Sequence, residues 1–171
     1  MKASRLPIVS ALTAILFTCT AFNVHAETQQ ISGTTTGGYT KQQPVPIANA
    51  DGNLLIMSEY HGTNKSTSGN GYMDGASVIN QEIAQLFQGN GDNSGYITFA
   101  KGDGVTVGKW SGHVTTVMKD GNPVTTFKGD WEYVSGTGKY AGIKGKGDYS
   151  GYFTSQTAYV VEWKGNYSLG N

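Results

Sequence analysis

Several things are scarce in this 171-residue chain. The lone cysteine, Cys19, lies near the N-terminus, so the rest can form neither a disulfide nor a zinc site of the usual Cys/His spacing. Many small exported domains need disulfide staples. A domain of about 150 residues can bury enough surface without them. Arginine is also nearly missing: Arg5 is the single one. Arginine is the usual residue for bidentate phosphate and base recognition. Its absence beyond position 5 argues against a nucleic-acid partner. No G-x-S-x-G elbow occurs, and past residue 26 the only histidines are His61 and His113. No apolar run reaches the about 20 residues a membrane helix needs. The stretch Leu6 to Phe22 comes nearest, but Pro7, Ser10, Thr13, Thr18 and Thr20 interrupt it.

What surrounds that stretch gives it a different meaning. Lys2 and Arg5 precede it, and Val24-His25-Ala26 follows as a small-x-small cleavage site. Residues 1–26 read as a cleaved secretory signal, with release into a secreted or periplasmic location near Ala26. Leu16-Phe17-Thr18 before Cys19 is a poor lipobox, which argues against a lipid anchor. Taking 26 residues from 171 leaves 145, a length for one domain. That part holds ten Lys and twelve acids, a net charge of −2, with no run of like charge to hold a membrane surface.

Residues 27–44 are polar and Thr/Gly-rich and read as a leader or a short first strand. A single domain is expected over 45–171. There, short apolar runs are separated by turn chemistry: Asp51-Gly52, Gly89-Asn90-Gly91-Asp92, Gly102-Asp103-Gly104 and Asp120-Gly121-Asn122. Period two runs through the strands. Trp110, Gly112, Val114, Thr116 and Met118 share one face; Phe127, Gly129, Trp131 and Tyr133 share another; Tyr159, Val161, Trp163, Gly165 and Tyr167 a third. Ser77 to Phe87 fits a strand or a short helix, with the strand favoured by the turn that follows. His61 to Gly71 reads as a long polar loop, either a lid or plain surface.

The glycine-rich segment 136–153 keeps an aromatic or aliphatic residue in most of its gaps. A P-loop is excluded, because Tyr133 stands where its first glycine belongs and Tyr140 follows Lys139. A flexible linker would not carry Tyr140, Ile143, Tyr149, Tyr152 and Phe153. An aromatic-x-Gly-x-apolar repeat, at Trp110, Phe127, Tyr149 and Trp163, suits strands that curl sharply while aromatic rings cover the bare glycines. The expected fold is all-β, a single antiparallel closed barrel of about eight strands.

The elements Gln88-Gly-Asn-Gly91, Gly95-Tyr-Ile-Thr98, Trp110-Ser-Gly-His-Val-Thr-Thr116, Gly136-Thr-Gly-Lys-Tyr-Ala-Gly-Ile143 and Glu162-Trp-Lys-Gly-Asn-Tyr167 resemble small bacterial secreted proteins with an allene oxide cyclase barrel-like, calycin-like fold. The resemblance covers about two-thirds of the chain and implies eight antiparallel strands around an apolar interior. It carries over no catalytic residue.

Candidate acid/base residues are few. Glu59 and His61 are two apart and share a face with Leu55 and Met57; a carboxylate there could orient the imidazole as a base, or both could lie in water at a fraying strand end. Glu82 shares a face with Val78, Ala84 and Leu86: pointing inward, it would have its pKa raised by burial and be a candidate acid or base; pointing outward, it is an ordinary surface carboxylate. Glu162 is ambiguous between Val160 and Lys164, and His113 falls on the solvent face. Trp110, Trp131, Tyr133, Tyr159 and Trp163 are candidates for the wall of a ligand pocket, with core filling as the competing reading. No cofactor or metal is expected. Three functions fit: a carrier of a small apolar molecule, an isomerase or cyclase using Glu59, His61 or Glu82, and an interaction module with a filled barrel. An enzyme is the less favoured of these.

Overall fold

The computed structural model describes residues 27–170. Residues 1–26, read above as a signal, lie outside the described residues. Eight strands follow in order: β1 (Gln29–Pro46), β2 (Asn53–Ser66), β3 (Ser77–Phe87), β4 (Asn90–Lys101), β5 (Gly104–Lys119), β6 (Asn122–Thr137), β7 (Ile143–Phe153) and β8 (Ala158–Leu169). Each pairs antiparallel with the next, and β1 pairs with β8 to close the barrel. A short 3-10 turn, Gly138–Tyr140, joins β6 to β7. Among the described residues, no helix is long and apolar enough to cross a membrane.

The segment 27–44, read as a leader or a short first strand, is most of β1, a strand of 18 residues. It pairs with β2 from Gly33 to Pro46 and with β8 from Gln29 to Gly38. Its polar composition misleads because threonine suits a strand and Gly33 faces a bulky ring. A Cβ at Gly33 would lie 2.4 Å from the Trp163 ring. Ser77–Phe87 is a strand, with Val78, Asn80 and Ala84 buried on its inner side. The segment 136–153 is the end of β6, the 3-10 turn and β7, so its glycines belong to curved strands and turns.

Glycine and tryptophan together set the girth of the barrel. One cross-strand row runs Ser58, Glu82, Gly95, Trp110, Trp131, Gly147, Gly165, Ile31. The Trp131 ring occupies the space that Cβ atoms at Gly147 and Gly165 would need, at 2.7 and 2.6 Å. Trp110 leans over Gly95, where a Cβ would lie 2.9 Å from its ring. In the aromatic-x-Gly repeat the ring over each glycine comes from another strand: Tyr149 at Gly112 and Gly129, Phe127 at Gly151 and Trp131 at Gly165.

One end of the barrel is filled. The polar stretch at 61–71 is not a structureless loop: β2 continues to Ser66, and the turn after it tucks Tyr72, Met73 and Ala76 into the core with Ile31, Tyr140, Ile143 and Tyr167. Asn64, 1% exposed, anchors that turn. Its Nδ2 donates to the Met73 carbonyl at 2.8 Å, and its Oδ1 accepts from Trp163 Nε1 at 3.1 Å. Tyr133 donates to Tyr72 (2.7 Å), which donates to Thr106 (3.2 Å), so the polar atoms packed there are joined to one another.

Candidate functional site

The other end holds a cavity of about 260 Å³. It runs from the rings above the plug to a rim that includes Gln42, Leu86, Thr116 and Thr125. Exposed apolar residues cluster beyond that rim, among them Phe87, Val117 and Met118. All five aromatics expected in a pocket wall, Trp110, Trp131, Tyr133, Tyr159 and Trp163, border the cavity. They are also core residues, since the rings that face it pack on one another. Tyr60 stacks on Tyr159 with centroids 4.2 Å apart, and Tyr39 meets Tyr159 edge-on at 5.3 Å.

Glu82 is the one charged residue lining this cavity. Strand alternation puts it inside: its neighbours Gln81 and Ile83 are exposed, while Asn80 and Ala84 are buried. Tyr39 Oη donates to Glu82 Oε1 at 3.2 Å, and Asn80 Nδ2 donates to Oε2 at 3.2 Å. Asn80 is itself held in place, its Oδ1 accepting from Trp110 Nε1 at 2.8 Å and its Nδ2 reaching Tyr159 Oη at 3.2 Å. Desolvation raises the Glu82 pKa, and the hydrogen bonds from Tyr39 and Asn80 oppose the shift without cancelling it. Burial likewise pushes the Tyr39, Tyr60, Tyr149 and Tyr159 hydroxyls upward, so these phenols stay neutral at physiological pH.

Four residues that border the cavity each hold a sealed polar side-chain atom without a partner: Tyr60 Oη, Tyr149 Oη, Asn93 Oδ1 and Trp131 Nε1. Buried polar atoms are normally satisfied, because an unpaired one costs about 1–3 kcal/mol. Leaving several around one cavity marks it off from the plugged end.

Glu59 and His61 are not in the cavity. On β2 the inner side carries Ser58, Tyr60 and Asn64, which sends Glu59 and His61 to the outer face with Met57. They do meet: Glu59 Oε1 lies 3.1 Å from His61 Nε2. The same carboxylate also takes hydrogen bonds from Gln81 (3.4 Å) and Lys41 (3.4 Å), and these, Gln81 first, hold its pKa below the ordinary value. Glu59 borders only a broad, open depression on the outer sheet face, and His61 lies outside it, so the pair lacks the water exclusion that acid/base chemistry uses. His113 and Glu162 are also exposed on the outside, His113 paired with Asp92 at 2.7 Å. Among the described residues no cluster of His, Cys, Asp and Glu could hold a metal ion.

Sequence reasoning missed Asn80, Tyr39 and Tyr149. Asn80 could have been found, because it sits between Val78 and Glu82 on the apolar face of β3. Tyr39 was hidden in the segment read as a leader.

A comparison with protein-family models finds no match, and none is found among the curated proteins. Among solved structures, a protein of unknown function from the DUF3224 family of Shewanella oneidensis MR-1 superposes with a TM-score of 0.51 at 15% identity, covering 85% of this chain and 99% of that one. The pterocarpan synthase dirigent protein GePTS1 gives a TM-score of 0.46 at 12% identity, over 92% of this chain and 100% of that one. The first likeness supports the small barrel fold; neither carries an activity across.

Proposed function

We propose that this protein is an exported barrel that binds one small, largely apolar molecule inside its open end. The carrying observation is the cavity of about 260 Å³, walled by aromatic rings and holding a single carboxyl. Ligand pockets of this type begin at about 300 Å³, are mostly apolar, and use a few placed polar groups to orient the ligand. This one sits just below that size, which favours a ligand of one or two rings. A protein whose only business lay on its outer face would have no reason to leave unpaired polar atoms around an internal void. The signal-like residues 1–26 support action outside the cytoplasm, and the resemblance to allene oxide cyclase-like barrels supports an interior site.

A second reading has one observation in its favour. Glu82 is an inward carboxyl with a raised pKa, the property expected of a general acid or base in an isomerase or cyclase. Binding is preferred because the structure shows one proton-transfer candidate and no second group of matched acidity in the cavity.

Native mass spectrometry of the protein purified from its own host tests the first reading. A mass above that of the chain, lost on denaturation, identifies a co-purifying molecule. A bare chain under gentle conditions, together with no binding of small aromatic probes, would overturn it. Turnover of the identified molecule by the wild type but not by Glu82→Gln would move the second reading ahead.

A further inference from the structure

The cavity pairs a carboxyl with aromatic rings and offers it no cation. Every Lys of the described chain lies outside the cavity lining, and neither histidine borders it. The two side chains bonded to Glu82, Tyr39 and Asn80, both present donors to it, an arrangement that suits an ionised, accepting carboxylate. Around it stand Tyr39, Tyr159 and Trp110, each either bonded to Glu82 or bonded to the Asn80 that Glu82 holds. Trp110 is brought close by Gly95, the bare position paired with both Glu82 and Trp110. Tyr149 packs edge-on against Trp110, with centroids 5.7 Å apart. Aromatic faces attract cations, most strongly when the site is desolvated, and such cages recognise organic ammonium groups. A carboxylate at the same spot adds a formal opposite charge.

From this we infer that the ligand is an organic cation: an amine or quaternary ammonium group seated at Glu82 among Tyr39, Trp110, Tyr149 and Tyr159, with its apolar body toward the rim. This deepens the binding reading above and rests on it. An anionic ligand such as a fatty acid meets the opposite situation, since its carboxylate would share a poorly solvated cavity with Glu82 and find no Lys, Arg or His there.

Three probes of one shape separate charge from cavity: 2-phenylethylamine, 2-phenylethanol and phenylacetate, titrated calorimetrically into the folded chain near neutral pH. The amine is expected to bind about tenfold or more tighter than the alcohol, and phenylacetate weakest. Glu82→Gln should remove the amine's advantage while keeping alcohol binding, which also shows that the variant's cavity is intact. If the alcohol binds as well as the amine in the wild type, or the amine's advantage survives Glu82→Gln, the cation inference falls and the binding reading stands. If none of the three binds the wild type, both fall. Should Glu82→Gln fail to fold, the pH dependence of wild-type amine binding replaces it. Amine affinity should drop as Glu82 takes up a proton, with the neighbouring phenols of Tyr39, Tyr60, Tyr149 and Tyr159 neutral throughout; amine affinity that does not change with acidification would overturn the inference.

Discussion

The two ends of this barrel are built from the same kinds of residue and treat polar atoms in opposite ways. At the plugged end, Asn64 bonds both the Met73 carbonyl and the Trp163 indole, and Tyr133, Tyr72 and Thr106 form a chain. At the open end, Glu82 and Asn80 are anchored on one wall, while Tyr60, Tyr149, Asn93 and Trp131 keep unpaired atoms. On the binding reading proposed above, the difference separates where stability is placed from where specificity would be. One end closes the core, and the other tolerates costs that a core would not.

The largest way to break this contrast is at the plug. Tyr72→Ala removes the ring that packs against Tyr140, Tyr167 and Trp163 and should cost about 3–5 kcal/mol, measured by urea unfolding. Asn64→Ala leaves the Trp163 indole N–H and the Met73 carbonyl without their partner and should cost about 2–3 kcal/mol by the same measurement. Asn64 also begins an Asn-x-Ser sequon, yet its side chain is sealed inside, so no glycan is expected there on the folded protein.

At the open end the sign should reverse. The pKa of Glu82 is raised in the folded state, so its contribution to stability is present below the unfolded pKa and is lost as pH rises through the folded value. Glu82→Gln is therefore expected to raise the melting temperature at neutral pH, and the gain should vanish in acid. The Tyr39 hydroxyl can turn to accept from the new amide, which keeps that contact. Thermal unfolding from about pH 4 to pH 8 reads this directly. A Glu82→Gln variant less stable than wild type at neutral pH would show that the carboxylate's bonds outweigh its desolvation.

The smallest effect should come from outside the barrel. Glu59→Gln breaks exposed pairs with Lys41 and His61. Surface ion pairs contribute little, so melting temperature and ligand binding should both stay at wild-type values. A loss of binding in this variant would erase the distinction between inner and outer carboxylates.

The barrel was legible because period two is strong in β5, β6 and β8 and hairpin turns separate the strands. Glu82 was only half readable: Val78, Ala84 and Leu86 share its face, but Ile79 and Ile83 make the other face apolar too, so the pattern left its direction open. Strand β2 defeated the same logic. Leu54-Leu55-Ile56-Met57 is apolar at every position, so it carries no phase. The phase is set further on by Tyr60 and Asn64, whose burial sends Leu55, Met57, Glu59 and His61 outward. The plug was unreadable locally, because Tyr72 and Met73 sit among Gly, Asn and Ser and gain their burial only from strands distant in sequence. Likewise β1 looks like a tail until Trp163 is placed over Gly33.

Plugging one end also constrains traffic. A vessel with a single opening loads and empties through the same throat, so occupancy is first come, first held. Two ligands must exclude one another rather than pass through in file. For the ligand proposed above, residence time would be governed by the rim at Gln42, Leu86, Thr116 and Thr125 more than by the floor, and widening that rim should speed arrival and departure together while leaving the equilibrium preference for one guest over another largely in place.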